Sequence, residues 1–385
     1  MRVPFIDLKA QFQSIRKEVH KAIRRVLDSQ QFILGKEGKR LEEALQKYLG
    51  VRYVVGVASG TDALTLSLIA SGVKANTEVL TTPYTFAATA SSILRAGGYP
   101  RFIDIDPTTY NLNVSLVEEF LSSLRSRRGE WVNPKTGRPV VGILPVHLFG
   151  CPCEMTHLTS LARKFSLTLI EDCAQAVGAE WNGKKVGSFG DFSALSFYPT
   201  KNLGGFGDAG AIATPSKEAS SILRLLRNHG DAGKYDHQMV GFNSRLDEIQ
   251  ACVLSVKLQH LDLWNRKRRE RAERYIRWIQ SEGLGESATT PENVPGHIYH
   301  QFVIRVKHRD RVKEKMAKMG VETAVHYPKP LHLQKAFEFL GYKKGDFPES
   351  ELLAEEALAL PIYPELTPPQ QEWVVQALKK AVRQK

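Results

Sequence analysis

The chain has 385 residues, 42% of them hydrophobic and 24% charged, with a formal net charge of +12 and four cysteines. Such a composition excludes a disordered or a disulfide-stapled protein, and the length predicts two domains rather than one small core. No apolar stretch approaches the roughly 20 residues that span a bilayer, and the N-terminus lacks a signal-peptide core, so a cytoplasmic location with no membrane partner is expected.

Val51–Val57 is apolar and β-branched and predicts a strand; Gly60-Thr61-Asp62 then opens a helix through Leu64, Leu66, Leu68 and Ile69. Further strands are predicted at Glu78–Thr82, Phe102–Ile105, Val140–Val146 and Leu167–Ile170, the last running into Glu171-Asp172. Helices are predicted between them at Thr85–Leu94, Leu116–Leu124 and Met155–Phe165, and Gly129–Pro139 reads as a surface loop or hairpin. This alternation predicts an α/β fold with a mainly parallel sheet, whose ligands sit beyond the carboxyl ends of the strands. Three polar clusters fall at such ends: Ser59-Gly60-Thr61, Asp172–Gln175 and the surroundings of Lys201.

After residue 215 the pattern becomes helical, over Ser216–Arg227 and Arg245–Gln280. A Pro/Thr/Asn-rich connector, Ser287–Gly296, leads to a smaller α+β unit with strands at Tyr299–Val306 and Thr323–His326, a helix at Arg311–Met319 between them, and helices towards the C-terminus. The domain change is placed within the long helix, dividing 1–250 from 251–385. The basic run Arg266–Arg269, continued by Arg271 and Arg274, reads as the solvated face of that helix. No zinc-finger or RNA-binding signature accompanies it, so nucleic acid is not an expected partner.

Cys151-Pro-Cys153 has His157 nearby but no second Cys/His pair at zinc spacing, so the thiols read as buried small residues and no metal is expected. Gly205–Gly210 matches G-x-G-x-x-G, yet Ala209–Thr214 reads as a strand where the dinucleotide fingerprint requires a helix.

The most informative segment is Ser196-Phe197-Tyr198-Pro199-Thr200-Lys201-Asn202-Leu203-Gly204-Gly205. A lysine among Pro and Gly just past an apolar strand is held by backbone, and partial desolvation favours the neutral amine that imine chemistry needs. Alone, it reads first as a surface loop lysine, the usual fate of the residue type. Asp172 at a strand end supplies the carboxylate that pyridoxal 5′-phosphate (PLP) requires against its pyridinium nitrogen. Ser59-Gly60-Thr61 at a helix N-terminus suits a phosphate, although it also suits a plain helix cap. Phe86 is placed to stack on a planar ring.

With these residues on the page, the chain closely resembles the DegT family of sugar aminotransferases, PLP enzymes of the aspartate-aminotransferase fold (fold type I). The resemblance runs almost end to end, through Phe5–Leu8, Ala58–Leu64, Asp104–Pro107, Pro145–Gly150, Glu171–Gln175, Ser196–Asn202, Arg227–Gly230, Asn243–Glu248 and His326–Pro328. It implies that Lys201 is the Schiff-base lysine, Asp172 the partner of the pyridine nitrogen and Gln175 the neighbour of the ring hydroxyl. Gly60, Thr61 and Ser196 become phosphate ligands, and Phe86 the stacking residue. Asn243 becomes a ligand to the phosphate of a neighbouring subunit, which implies a homodimer with shared sites. Arg245, His326 and Tyr327 become residues around the sugar. The implied reaction moves an amino group from L-glutamate to a nucleotide-linked keto-sugar. Tyr198 and Asp208 stand where members acting at carbon 4 more often carry His and Glu, which favours a dTDP- or UDP-linked 3-keto-hexose. The alternatives within the family are a 4-keto-sugar or cyclitol aminotransferase and an aminohydroxybenzoate synthase; outside enzymes, a PLP-binding regulatory or nucleic-acid-binding protein.

Overall fold

A computed structural model describes residues 1–383. Two helices open the chain, α1 (Leu8–Ser29) and α2 (Lys36–Leu49). The alternating region follows as β1 (Tyr53–Val57), α3 (Gly60–Ala70), β2 (Glu78–Thr81), α4 (Ala87–Arg95), β3 (Tyr99–Phe102) and α5 (Val114–Ser122). A short hairpin, β4 (Arg125–Arg127) and β5 (Glu130–Val132), precedes β6 (Val140–Ile143), α6 (Met155–Lys164) and β7 (Thr168–Asp172). A second hairpin, β8 (Glu180–Trp181) and β9 (Lys184–Lys185), leads to β10 (Phe192–Ser196), β11 (Gly210–Thr214) and α7 (Lys217–Leu226). The 34-residue α8 (Glu248–Ser281) then connects to β12 (Ala288–Thr289), β13 (Phe302–Val306), α9 (Arg309–Lys318), α10 (Pro348–Glu356), β14 (Ala357–Leu360) and α11 (Pro368–Arg383).

Seven strands form the main sheet in the order β1-β11-β10-β7-β6-β2-β3. The pairings β10–β7, β7–β6, β6–β2 and β2–β3 are parallel, and β11 runs antiparallel to both of its neighbours. β2, β10 and β11 are buried at every residue, as expected of strands covered on both faces. The predicted mainly parallel sheet is therefore present. A three-stranded antiparallel sheet, β12-β13-β14, forms the second layer system. It packs with Tyr275 and Ile279 of α8 and with Val374 and Leu378 of α11 in one apolar core.

Four expectations require correction. The third strand of the chain is Tyr99–Phe102 rather than Phe102–Ile105: it is the sheet's edge, where Pro100 lacks an N–H that solvent would otherwise face. Beyond it, Asp104 turns away to accept the N–H groups of Glu349 and Ser350 at the start of α10 (3.0 Å each). Thr323–His326 is not a strand; Ala324 makes one bridge to Ala359, and the backbone at His326 and Tyr327 bonds the Tyr84 hydroxyl instead (2.7 and 2.9 Å). Ala357–Leu360, expected to be helical, is β14, because pairing with β13 overrides the helix preference of an Ala-Leu repeat. The basic run is not wholly solvated: Arg268 is 2% exposed, with Nε and Nη1 unpartnered and Glu365 as its nearby countercharge, and burial lowers its pKa to about 10. Gly129–Pro139 lies across the β4–β5 hairpin and the turn that follows it.

The four cysteines are buried free thiols. No helix among the described residues is long and apolar enough to cross a membrane. G-x-G-x-x-G runs into β11, not into a helix.

Glu248, the first residue of α8, fixes where the N-terminal helices sit. Its carboxylate accepts the N–H groups of Gly35, Glu37 and Gly38 (2.9, 2.7 and 3.0 Å), closing the open N-terminus of α2 from another element. Glu248→Ala is expected to lower unfolding stability by about 3 kcal/mol, the scale for removing a buried charged acceptor from several donors; urea denaturation measures it, and a loss below about 0.5 kcal/mol would contradict the capping role.

Candidate active site

β7 ends in two consecutive carboxylates that point to opposite faces because side chains alternate along a strand. Glu171 faces inward and is saturated: it accepts from the N–H groups of Gly187, Phe189 and Gly190 (2.8 Å each), from Ser193 Oγ (3.0 Å) and from His147 Nε2 (3.1 Å). Burial pushes its pKa up, but His147 and the backbone donors more than offset that and hold it below the usual range. His147 Nδ1 in turn accepts from Cys153 N (3.0 Å). Glu171, His147 and Cys173 lie close enough to suggest a metal, yet the Glu171 oxygens and both His147 nitrogens are already engaged.

Asp172 faces a cavity of about 510 Å³. It is 4% exposed, with two donors among the described residues: Thr89 Oγ1 to Oδ2 (2.9 Å) and Ala174 N to Oδ1 (3.1 Å). Burial pushes its carboxyl pKa up; Ala174, Thr89 and the charge of Lys201 pull against it without cancelling the shift. Lys201 lies in the loop between β10 and β11 and lines the same cavity. Burial lowers its amine to about 8, against the opposing pull of Asp172.

The N-terminus of α3 forms another wall. Ser59 caps it, its hydroxyl accepting from Asp62 N (3.1 Å), and Gly60 and Thr61 line the cavity. Gly60 is required by a close approach: a Cβ there would lie 2.5 Å from Ser196 Cβ, which closes the same wall from β10. Phe86, 58% exposed, stands at the edge with its ring 6.2 Å from that of Tyr327. Gln175 is clamped, Oε1 accepting from Phe149 N (2.7 Å) and Nε2 donating to Tyr327 Oη (3.2 Å). Burial and the Lys201 charge lower His326 to about 4, so it is neutral near pH 7.

The cavity thus brings together Lys201, Asp172, Gly60, Thr61, Phe86, Gln175, Ser196, His326 and Tyr327. Asn243 and Arg245 do not line it: Asn243 is exposed, and Arg245 Nη1 donates to Asn228 Oδ1 (3.1 Å) on the segment that pairs with Asn243. Sequence reasoning missed Thr89, His300 and Gln301. Thr89 sits one helical turn beyond Phe86, a spacing that could have revealed it. His300 and Gln301 enter from the start of the small sheet, far away in sequence; burial first, then the Lys201 charge, holds His300 well below its ordinary pKa.

The residues fit PLP. A buried, under-donated Asp172 suits a cationic N–H, an amine near 8 suits an aldehyde, and the α3 N-terminus suits a phosphate. His300 Nδ1, Gln301 Oε1 and His326 Nε2 are buried beside this cavity without a hydrogen-bond partner among the described residues.

Comparisons with known proteins agree with the architecture. A "Pleiotropic regulatory protein" of Geobacillus stearothermophilus is 43% identical over 100% of this chain and 99% of its own length. A UDP-N-acetyl-3-dehydro-α-D-glucosamine 3-aminotransferase of Acidithiobacillus ferrooxidans is 40% identical over 94% of each chain. The crystal structure of S. venezuelae DesV in complex with a ketimine intermediate superposes with a TM-score of 0.92 at 36% identity, covering 100% of this chain and 99% of that one. The fold is accordingly that of the fold type I aminotransferases. The family pattern of the DegT/DnrJ/EryC1/StrS aminotransferases matches residues 13–379, and the chain belongs to that family.

Proposed function

We propose that the protein is a cytoplasmic PLP-dependent aminotransferase that moves an amino group from L-glutamate to a dTDP- or UDP-linked 3-keto-hexose in amino-sugar biosynthesis. The observation that carries the reading is one cavity shared by a lysine amine lowered to about 8, a buried carboxylate and a helix N-terminus. A relative named for a UDP-linked 3-aminotransferase supports the position of amination. So do Tyr198 and Asp208, which both line the cavity.

PLP supplies an electron sink for the carbanion formed when the donor loses its α-proton. Asp172, its carboxylate kept oriented by Thr89 and Ala174 N, would pair with the ring N–H. Gly60, Thr61 and Ser196 would hold the phosphate. Lys201 would hold the cofactor through its aldehyde until a donor amine took its place; its freed amine would then be the base for the donor's α-proton and the acid that returns a proton to the cofactor's former aldehyde carbon. Gln175 orients Tyr327. His326 is neutral and offers the sugar a hydrogen bond. With an amine near 8, ~1 in 10 Lys201 side chains is neutral at pH 7, against fewer than ~1 in 1,000 at the ordinary 10.5.

A second copy is proposed to complete the site. Phe32, Ile33, Leu34 and Phe242 are large apolar side chains left 40–44% exposed, and Val240 is 93% exposed, close in sequence to Asn243 and Arg245. The division of the chain near residue 250 is proposed on the same footing; the separate core of β12–β14, α9 and α11 supports it. A regulatory reading is favoured by the names of two relatives, the "Pleiotropic regulatory protein" and an "Erythromycin biosynthesis sensory transduction protein" of Saccharopolyspora erythraea, and by the charge of +12.

The decisive test is the visible spectrum. Added PLP is expected to give an absorption band that Lys201→Ala lacks and that L-glutamate discharges as 2-oxoglutarate appears; no band in the parent would leave the regulatory reading in place. The rate of band formation should rise with pH through about 8 and level off above it, since only the neutral amine reacts; a profile still climbing near 10 would contradict a desolvated Lys201. Thr89→Val should lower kcat by about tenfold, about 1.4 kcal/mol for a lost hydrogen bond to a charged acceptor, with little change in the sugar's KM; counting kcat per site that forms the visible band separates this from a fold defect, which would lower the number of such sites and not the rate at each.

A further inference from the structure

One face of α8 grips the loop that carries Lys201 at three points. Gln250 Oε1 accepts from Phe206 N (2.7 Å), and Lys257 Nζ donates to the Gly204 carbonyl (2.6 Å). Asn265 Oδ1 accepts from Asn202 Nδ2 (3.3 Å), and both amides donate to the Val177 carbonyl (3.0 and 2.7 Å). Positions 250, 257 and 265 recur at about two helical turns, so they share a face. A Cβ on Gly205 or Gly207 would lie 2.8 or 3.0 Å from the Gln250 amide, so a larger residue at either would displace that amide. On its inner side the loop closes on itself through Lys201 N to Tyr198 O and Gly205 N to Phe197 O (2.8 Å each).

Lys257 is the unusual member. It is 3% exposed, its ammonium has the Gly204 carbonyl and the face of Phe206 (4.8 Å) as its neighbours, and burial lowers its pKa to about 8. A methionine of similar length would fill the space without desolvating a charge. Asp172, not Lys257, supplies the charge that acts on Lys201, so any effect of Lys257 on the site travels through the backbone. We propose that Lys257, with Gln250 two turns before it, is a positioning residue that holds the Gly204 and Phe206 backbone so that the Lys201 amine stays in the desolvated cavity opposite Asp172. This rests on the reading of Lys201 as the reactive amine.

The test labels the PLP-free protein with trace acetic anhydride across pH and reads Lys201 acetylation by mass spectrometry, in the parent and in Lys257→Met. The parent midpoint is expected near 8. In folded Lys257→Met it should rise by about one pH unit, leaving about tenfold less neutral amine at pH 7, as a loosened loop admits water to Lys201. An unchanged midpoint in a folded variant overturns the proposal. Should Lys257→Met fail to fold, Gln250→Met decides by the same measurement, an upward shift supporting the proposal and an unchanged midpoint overturning it. PLP added afterwards separates the two claims. A midpoint shift without a visible band in the parent would sink the cofactor reading and leave the positioning role standing; a band without a shift would do the reverse.

Discussion

Removing a carboxylate from water costs several kcal/mol unless donors replace the lost hydration, and the end of β7 meets that constraint in two ways. Glu171 receives five donors and is pushed below its ordinary pKa. Asp172, one residue on, receives two and is pushed above it. The first is a closed account in which strand, turn and His147 are tied together. The second is left short of donors, and a site can be assembled around that shortfall. Adjacent residues of the same chemistry acquire opposite roles because the strand sends them to opposite faces.

The rest of the site follows from what surrounds Asp172. β10 lies parallel beside β7, which brings Ser196 and the following loop to the same end of the sheet. β11 returns antiparallel, so that loop is anchored on both sides, and burial in the cavity lowers the pKa of its amine. α3 begins against Ser196, with Gly60 the only residue type that allows the contact. The small sheet contributes His300 and Gln301 from the opposite wall.

Much of this was legible in the sequence, for physical reasons. Strands buried on both faces read as continuous apolar runs, and helices between them as periodic ones, so the sheet could be anticipated from Val51 to Thr214. Lys201, Asp172 and Gly60 stood out because their residue types are costly or permissive in ways their neighbours are not. Local patterns failed where tertiary contacts decide. Pro100 is tolerated within β3 only because that strand is the edge of the sheet, and Ala357–Leu360 extends only because β13 lies alongside. Arg268 sits in a run of basic residues that charge pattern alone assigns to solvent. Thr89 and His300 are ordinary residues made important by what they face.

The length of α8 has a mechanical consequence. The helix that grips the Lys201 loop at Gln250 and Lys257 continues without a break to Tyr275 and Ile279, which belong to the core of the small sheet. From Lys257 to Ile279 is about 33 Å of stiff rod at 1.5 Å per residue. Pivoting that rod by about 5° at its Lys257 contact would carry its far end about 3 Å. Lys201's loop and the C-terminal core are thus joined by a lever, so tilting the small sheet against the large one would change the angle at which the amine's loop is held.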